Sequence, residues 1–505
     1  MVNLLPVFAL FISAGFILLL GHLVLPIGRT WMLAAILAFS VWVSMIVIGI
    51  LKPAGFVVEN WLQSSNSPQQ MQLSLSNEAW FVGFLWVSLL VAVIFAEAKD
   101  LQDKSNITIL SGELLLSAVG LLAIIAGSNL AYLLTWALMD MVEYGILIWI
   151  IKDPIAHKNS IYALVSRLLG ILLLVFIVST GDGGSVNENL IGVLTLVIVI
   201  LRTGIIPVHR PFVNNIALRR GIGTILRFTP PLSAAAFLIS RGTLQIGQPA
   251  STVMLVLLAI GMLYGSLMWQ FSQNELEGRP YGIVSIACLM VTASVMQAWH
   301  AVVGLTAMLV VGGGAQFLYS PRFRRPLLYL IPLLIGIIAL PYSPTSSVRS
   351  MLWGESNTPI YLVPVFSVLI LLIGINKHFL RQEPQQYLME SWMRFIYIVG
   401  MAFLLVTPWI GGIILGDQGQ GLGFWGISVF LAIGLISELI VMFIIKQKRI
   451  IVPARISGFL EGTSAAMISV NRFFKFSWFS NFREGIFSAT GRVIGISIKI
   501  LEGDG

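Results

Sequence analysis

Charged side chains stand in four consecutive apolar segments of this chain. Asp140 and Glu143 are three residues apart in the fifth segment, and Arg167, Arg202 and Arg227 follow in the sixth, seventh and eighth. Residues three apart on a helix share one face, and charges at membrane depth are costly when they face lipid. The pattern therefore predicts a buried chain of ion pairs. Such a chain can relay protons, or it can simply hold helices in register.

Prolines and histidines add to this pattern. Pro207 and Pro211 interrupt the segment that carries Arg202, and His209 stands between them. A helix broken at membrane depth is a common place for a transporter site. His209, together with His300, would exchange protons near neutral pH, although a histidine at a helix break is often only a structural hydrogen-bonding group.

The segments that position these residues are membrane spans. Hydrophobic residues make up 57% of the 505 residues and charged residues only 10%, too few to cover a soluble protein. Apolar runs of roughly 18 to 23 residues recur, which is the length needed to cross about 30 Å of hydrocarbon. The sequence predicts an all-α polytopic membrane protein with 14 or 15 transmembrane helices. The predicted spans are 4–25, 30–51, 79–96, 107–127, 129–151, 160–180, 187–206, 221–240, 251–271, 281–298, 301–319, 327–341, 360–375, 395–415 and 423–445.

The basic residues predict the orientation. Loops after odd-numbered spans carry most of the arginines and lysines, including the cluster at 322–325, whereas loops after even-numbered spans carry few. We expect the basic loops in the cytoplasm, the N-terminus outside and the protein in the inner (cytoplasmic) membrane. The first span lacks a basic n-region and a cleavage site, so we expect it to stay in the membrane.

Charge and cysteine content restrict the chemistry. Topology accounts for the net charge of +8, so no nucleic-acid partner is expected. Cys288 is the single cysteine and lies in a span, which excludes an intrachain disulfide and a cluster of cysteine metal ligands. We expect no cofactor, no metal and no redox chemistry in this chain.

Residues 452–505 differ from the rest of the chain. Phenylalanines and one tryptophan, Trp478, are interleaved there with lysines and arginines, and no stretch is apolar enough to span. This pattern favours an amphipathic segment lying in the membrane interface, with a plain cytoplasmic tail as the alternative.

Four stretches resemble one family. Residues 127–139 look like the Trp-Glu helix of the antiporter-like membrane subunits of respiratory complex I, Mrp sodium/proton antiporters and membrane-bound hydrogenases. Residues 202–209 resemble the family's broken helix, in which a lysine precedes a proline and a histidine. Residues 222–241 resemble the next helix, which ends in an arginine, and 300–305 resemble the "His-Ala, two residues, Lys" helix. The resemblance covers roughly residues 100–420, in the family's order.

The resemblance implies two inverted five-helix repeats, each with a broken helix that handles protons. Pro207 and Pro211 would break the first such helix and Pro408 the second. The implied divisions are 1–106 for N-terminal helices, 107–241 and 251–420 for the repeats, 421–451 for the final helix and 452–505 for the interfacial tail. Members of the family work within larger complexes, so other membrane subunits are the implied partners, with lipid and protons or sodium ions, and any redox cofactor would sit in a partner.

Several positions depart from the family pattern. They are Ala137 in place of glutamate, Arg202 and Gly304 in place of lysines, Gly416 in place of an acid or lysine, and Glu275-Leu276-Glu277 in place of Asp-x-Lys. A buried lysine can release its proton, whereas arginine keeps it in nearly any environment. Asp140 or Glu143 would have to replace the missing glutamate.

A stand-alone secondary transporter is disfavoured because the chain shows no polar substrate-binding cluster of its own, which leaves two functions open from the sequence. The chain is either an antiporter-like subunit that takes part in proton translocation within a multi-subunit complex, or a degenerate structural subunit that keeps the fold and docks partners. Either way the chain is at most a membrane subunit of an oxidoreductase-type complex. The first hypothesis needs the charges of 140–227 to be active, whereas the second needs them only to pair.

Overall fold

The computed structural model describes most of the chain up to residue 436. The described residues are 2–52, 55–62, 69–100, 105–150, 154–180, 188–206, 220–272, 275–318, 327–340, 342–352, 362–380, 390–415, 428–429 and 431–436. The expected interfacial segment at 452–505 lies outside them, as do Pro207, His209, Pro211 and Gly416.

The described residues are mainly helical, as the apolar runs predicted. The helices are α1 (Leu5–Leu23), α2 (Ile27–Leu51), α3 (Asn77–Ala96), α4 (Ser105–Ile125), α5 (Asn129–Ile150), α6 (Pro154–Thr180), α7 (Glu188–Thr203), α8 (Arg220–Arg241), α9 (Ala250–Phe271), α10 (Glu275–Val295), α11 (Trp299–Ala307), α12 (Gly314–Leu318), α13 (Leu327–Ile337), α14 (Arg349–Leu352), α15 (Leu362–Phe379) and α16 (Ser391–Leu415). A π-helical turn, Met308–Gly313, joins α11 to α12 in one span.

Twelve helices among the described residues are long and apolar enough to cross a membrane. The other three predicted spans correspond to α7, with 16 residues, to α13, with 11, and to 423–445, which is largely outside the described residues. The predicted class, an all-α polytopic membrane protein, is confirmed.

A short hairpin between α2 and α3 was not predicted. Strand β1 (Phe56–Leu62) pairs with β2 (Gln69–Leu73) in antiparallel register. The Gly127 N–H donates to the Gln72 carbonyl at 2.9 Å, which ties β2 to the chain that follows α4. The hairpin was overlooked because its residues are neither apolar enough for a span nor strictly alternating.

Helices α3 and α8 form the centre of the bundle. The apolar window of α3 is 94% buried and that of α8 is 100% buried. Indole groups fix α2 against α3, since Trp31 donates to the Ile94 carbonyl at 2.8 Å and Trp80 donates to the Met45 carbonyl at 2.7 Å. Both of these buried indole N–H groups therefore have an acceptor, as a low-dielectric interior favours.

The predicted break at Pro408 is wrong. Helix α16 runs from Ser391 to Leu415 with Pro408 inside it. A proline removes a single backbone donor, and neighbouring groups in a membrane bundle can satisfy the freed carbonyl, so the helix continues.

Irregular backbone lies instead between α13 and α14. Ala339 and Tyr342 adopt positive φ values of 58°, and Ala339 is only 1% exposed. The buried Thr345 hydroxyl donates to the Gly336 carbonyl at 2.9 Å and accepts the Ala339 N–H at 3.1 Å. These bonds stabilise non-helical backbone inside the bundle.

Candidate functional site

Helix α5 presents two carboxylates to the interior of the bundle. Asp140 is 1% exposed and Glu143 is fully buried, on the same face as the buried Trp136. Positions three, four and seven residues apart share a helical face, so this spacing brings the three side chains together. Met141, on the opposite side of the helix, is 74% exposed. Ala137 is only partly buried, so Asp140 occupies the interior position.

Arg167 of α6 binds both carboxylates. Its Nη1 and Nη2 donate to the two oxygens of Glu143 at 2.5 and 2.9 Å, a bidentate pair. Nη1 also lies 3.3 Å from Oδ1 of Asp140, and Nε donates to the Ala163 carbonyl at 3.4 Å. Bidentate pairs between arginine and a carboxylate are the strong, geometrically specific kind.

Arg202 binds the other side of Asp140. Its Nη1 and Nη2 are each 3.3 Å from an oxygen of Asp140, and its Nε donates to the Ser233 hydroxyl at 3.0 Å. The guanidinium lies 4.0 Å from the centre of a Trp136 ring, a cation–π contact. Asp140 is thus shared by two arginines.

The end of α7 positions Arg202. The helix ends at Thr203, and Gly204 has a φ of 77°, which the absence of a Cβ permits. The Ile205 N–H donates back to the Ile200 carbonyl at 3.1 Å, the bond of a Schellman cap. Arg202 therefore stands in the last turn, where the helix dipole favours a cation. This termination precedes Pro207, but the predicted break at the proline itself lies outside the described residues.

We call Glu143, Arg167, Asp140 and Arg202 the charge network. All four side chains are at most 3% exposed, and two positive charges balance two negative ones. The predicted pairing of charges on adjacent helices is confirmed for these residues. Their participation in ion translocation stays a prediction.

Arg227 of α8 shares a cavity with this network. It is 6% exposed and donates to the Gly223 carbonyl at 2.9 Å. The cavity is also lined by Arg167 and Arg202, and the space open to the centres of water molecules is about 40 Å³. The Arg227 side chain is thus buried inside the bundle.

A second cluster of charges joins α8 to α10. Glu275 pairs with Arg220, and also with Arg279 at 3.3 Å. Arg279 is fully buried, donates to the Phe317 carbonyl at 3.2 Å and lies 4.6 Å from the Phe317 ring. Arg220 and Arg279 lie just outside the predicted spans 221–240 and 281–298, which places them in loops, whereas the structure includes them in α8 and α10. The i, i+4 spacing of Glu275 and Arg279 was the available signal.

Glu113 of α4 was also overlooked. It is fully buried, and it is the one acidic residue of the predicted span 107–127. An isolated acid in an apolar run was the signal that could have identified it.

His300 does not join the charge network. It is in the first turn of α11, and its ring centroid is 3.5 Å from that of Trp299. This stacking contact does not test a role in ion translocation, so the role of His300 stays a prediction.

Position 304, where the family pattern has a lysine, has no space for a side chain. A Cβ on Gly304 of α11 would lie 2.7 Å from the Ser347 hydroxyl oxygen and 2.9 Å from the Val348 backbone nitrogen. The 3₁₀ turn Ser346–Val348 thus fills the space that a side chain at 304 would need. Glycine permits this close approach of backbones.

Fold and site define an all-helical membrane protein with balanced charges inside its bundle. No protein-family model and no curated protein matches the chain. It is similar to a chain in the structure of the Mrp complex from Dietzia sp. DQ12-45-1b, with 12% identity and a TM-score of 0.65. That match covers 99% of this chain and 63% of the other, so this chain spans less than two thirds of its relative.

A second solved structure has the same fold. A chain of the membrane-bound sulfane sulfur reductase, an archaeal respiratory membrane complex, aligns with a TM-score of 0.62 at 12% identity, over 86% of this chain and 84% of the other. The predicted resemblance to antiporter-like membrane subunits is confirmed at the level of the fold.

Proposed function

We propose that the chain is an antiporter-like subunit of a multi-subunit, ion-translocating membrane complex and takes part in proton translocation. The observation that carries the proposal is the charge network, because it places two carboxylates and two arginines of three successive helices inside the shared fold. Buried charges in membrane helices are expensive and mark ion pathways. Other membrane subunits are the proposed partners, since both similar chains are parts of complexes.

The carboxylates are the proton-accepting groups of this proposal. Arginine keeps its proton, so Arg167 and Arg202 act as fixed charges. A proton arriving on Glu143 neutralises the partner of Arg167, which then depends on its 3.3 Å contact with Asp140. Asp140 is shared with Arg202, so the Asp140–Arg202 contact weakens in turn. Protonation of Glu143 therefore changes the Asp140–Arg202 contact at the other end of the network.

The alternative is a structural subunit that conducts nothing. Two observations favour it: Arg202 replaces the proton-releasing lysine, and Gly304 leaves no room for the second lysine. In this alternative the charge network only fixes the positions of α5, α6 and α7, while the fold docks partners.

Proton movement by the reconstituted complex distinguishes the two. The complex is purified through a tag on this chain, placed in proteoliposomes and followed with a pH-sensitive dye. Asp140→Asn and Glu143→Gln are each expected to reduce proton movement strongly while assembly stays intact. Glu188→Gln is the matched control, because Glu188 is an exposed acid of α7. Unchanged proton movement in both network variants would reject conduction and support the structural alternative.

A further inference from the structure

Three arginines line the cavity beside the charge network. Arg167 of α6, Arg202 of α7 and Arg227 of α8 each contribute to it, and none of the described residues that line it is acidic. Asp140 and Glu143 bind these arginines without lining the cavity. An occupant therefore meets guanidinium groups from three helices before it meets any carboxylate among the described residues.

The size of the cavity restricts its occupant. The space of about 40 Å³ for water centres corresponds to about two or three water molecules. That volume suits a halide ion with a water molecule and leaves little space for a substrate of many atoms. Most of the lining is apolar, but the guanidinium groups and the Ser166 hydroxyl give an occupant polar partners, without which such a cavity would stay dry.

A hydroxyl donor is available on the wall. The Ser166 oxygen is buried and has no hydrogen-bond partner among the described residues, whereas the Thr203 hydroxyl donates to the Val199 carbonyl at 2.8 Å. Pro230 and Pro231 form part of the remaining wall and carry no N–H. Ser166 and the arginines are thus the side chains with donors for an occupant.

We infer that this cavity binds a monovalent, halide-sized anion, with chloride as the physiological ion. Guanidinium groups attract anions strongly where water is scarce, and a fixed positive wall repels cations. Asp140 and Glu143 already pair with Arg167 and Arg202, so a bound chloride would add one negative charge to a group of three arginines and two carboxylates. This inference concerns binding alone and does not depend on proton conduction.

Chloride binding is tested on the purified full chain or its complex in nanodiscs. The temperature of unfolding is measured in chloride and in gluconate at equal ionic strength, and radioactive chloride binding is titrated in parallel. The wild type is expected to show saturable binding, a higher unfolding temperature in chloride, and competition by bromide. No chloride-dependent difference in the wild type would overturn the inference.

Two variants localise the site. Ser166→Leu fills the cavity without removing a charge and is expected to weaken chloride binding at least tenfold. Ser179→Leu is its matched control, because Ser179 is on the same helix but exposed, and it should bind as the wild type does. Chloride binding that persists unchanged in Ser166→Leu would place the anion elsewhere and refute the site. If Ser166→Leu fails to fold, bromide located between Arg167, Arg202 and Arg227 by anomalous scattering decides instead.

Discussion

Glu143 and Arg167 should show a large coupling free energy of unfolding when both are substituted. Glu143→Gln leaves Arg167 with Asp140, at 3.3 Å, as its remaining carboxylate among the described residues and changes the charge network from neutral to +1. Breaking one partner of a buried pair costs about 3 to 5 kcal/mol. We expect a loss of about 3 kcal/mol for Glu143→Gln, and a similar loss for Arg167→Gln, which leaves the network at −1.

The double variant decides whether this reasoning holds. With Gln at both positions the network is neutral again, and Asp140 still binds Arg202. We expect the double variant to lose about 3 kcal/mol rather than the additive sum of about 6, a coupling of about 3 kcal/mol. The measurement is reversible denaturation of the purified chain in detergent micelles. Additive losses would refute the reasoning, and Glu188→Gln on the exposed part of α7 should change stability by less than about 1 kcal/mol.

Three further predictions follow from the site and the topology. Arg202→Lys should lower stability by about 1 to 3 kcal/mol, since lysine cannot reproduce the two guanidinium contacts with Asp140 or the stacking on Trp136. The same variant should increase proton movement if the network lacks a side chain that can release a proton. Gly304→Ala should destabilise by about 1 to 3 kcal/mol through overpacking, whereas Gly15→Ala, where the Cβ meets open space, should be neutral or stabilising in the same denaturation assay. In the variant Arg29→Cys the new thiol should be labelled only from the cytoplasm, and in Lys52→Cys only from outside. The reverse labelling would contradict the predicted orientation. The native Cys288 is buried and should not react.

The charge network, which lies in the first half of the chain, was predictable because a charged residue inside an apolar run is a strong signal. Asp140, Glu143, Arg167 and Arg202 could be expected to face one another on energetic grounds alone, and they do. The sharing of Asp140 by two arginines was not predictable, since it depends on how far each helix is rotated.

The second half was harder to predict for a physical reason. Arg279 was assigned to a loop because hydropathy places the end of a span at the first cluster of charges, yet α10 continues to Glu275 inside the bundle. A proline signals a missing donor without telling whether neighbours replace it, so Pro408 was taken for a break. Pro341 and Pro344 were the available signal for the irregular backbone near Ala339, but the sequence did not show the Thr345 hydrogen bonds that hold it.

The contrast between the halves bears on how the chain works. In the first, two acids and two arginines remain buried at considerable energetic cost, and Asp140 links both arginines. In the second, the turn Ser346–Val348 fills the space beside Gly304, so a lysine at position 304 would require this turn to move. We therefore expect charge movement in the described bundle to involve the first half, where the arginines can set the field and the carboxylates can accept a proton. Among the described residues, Asp140 is the one carboxylate with ion-pair contacts to both Arg167 and Arg202. A variant that neutralises Asp140 therefore separates a working network from a purely structural one more sharply than a change at Gly304.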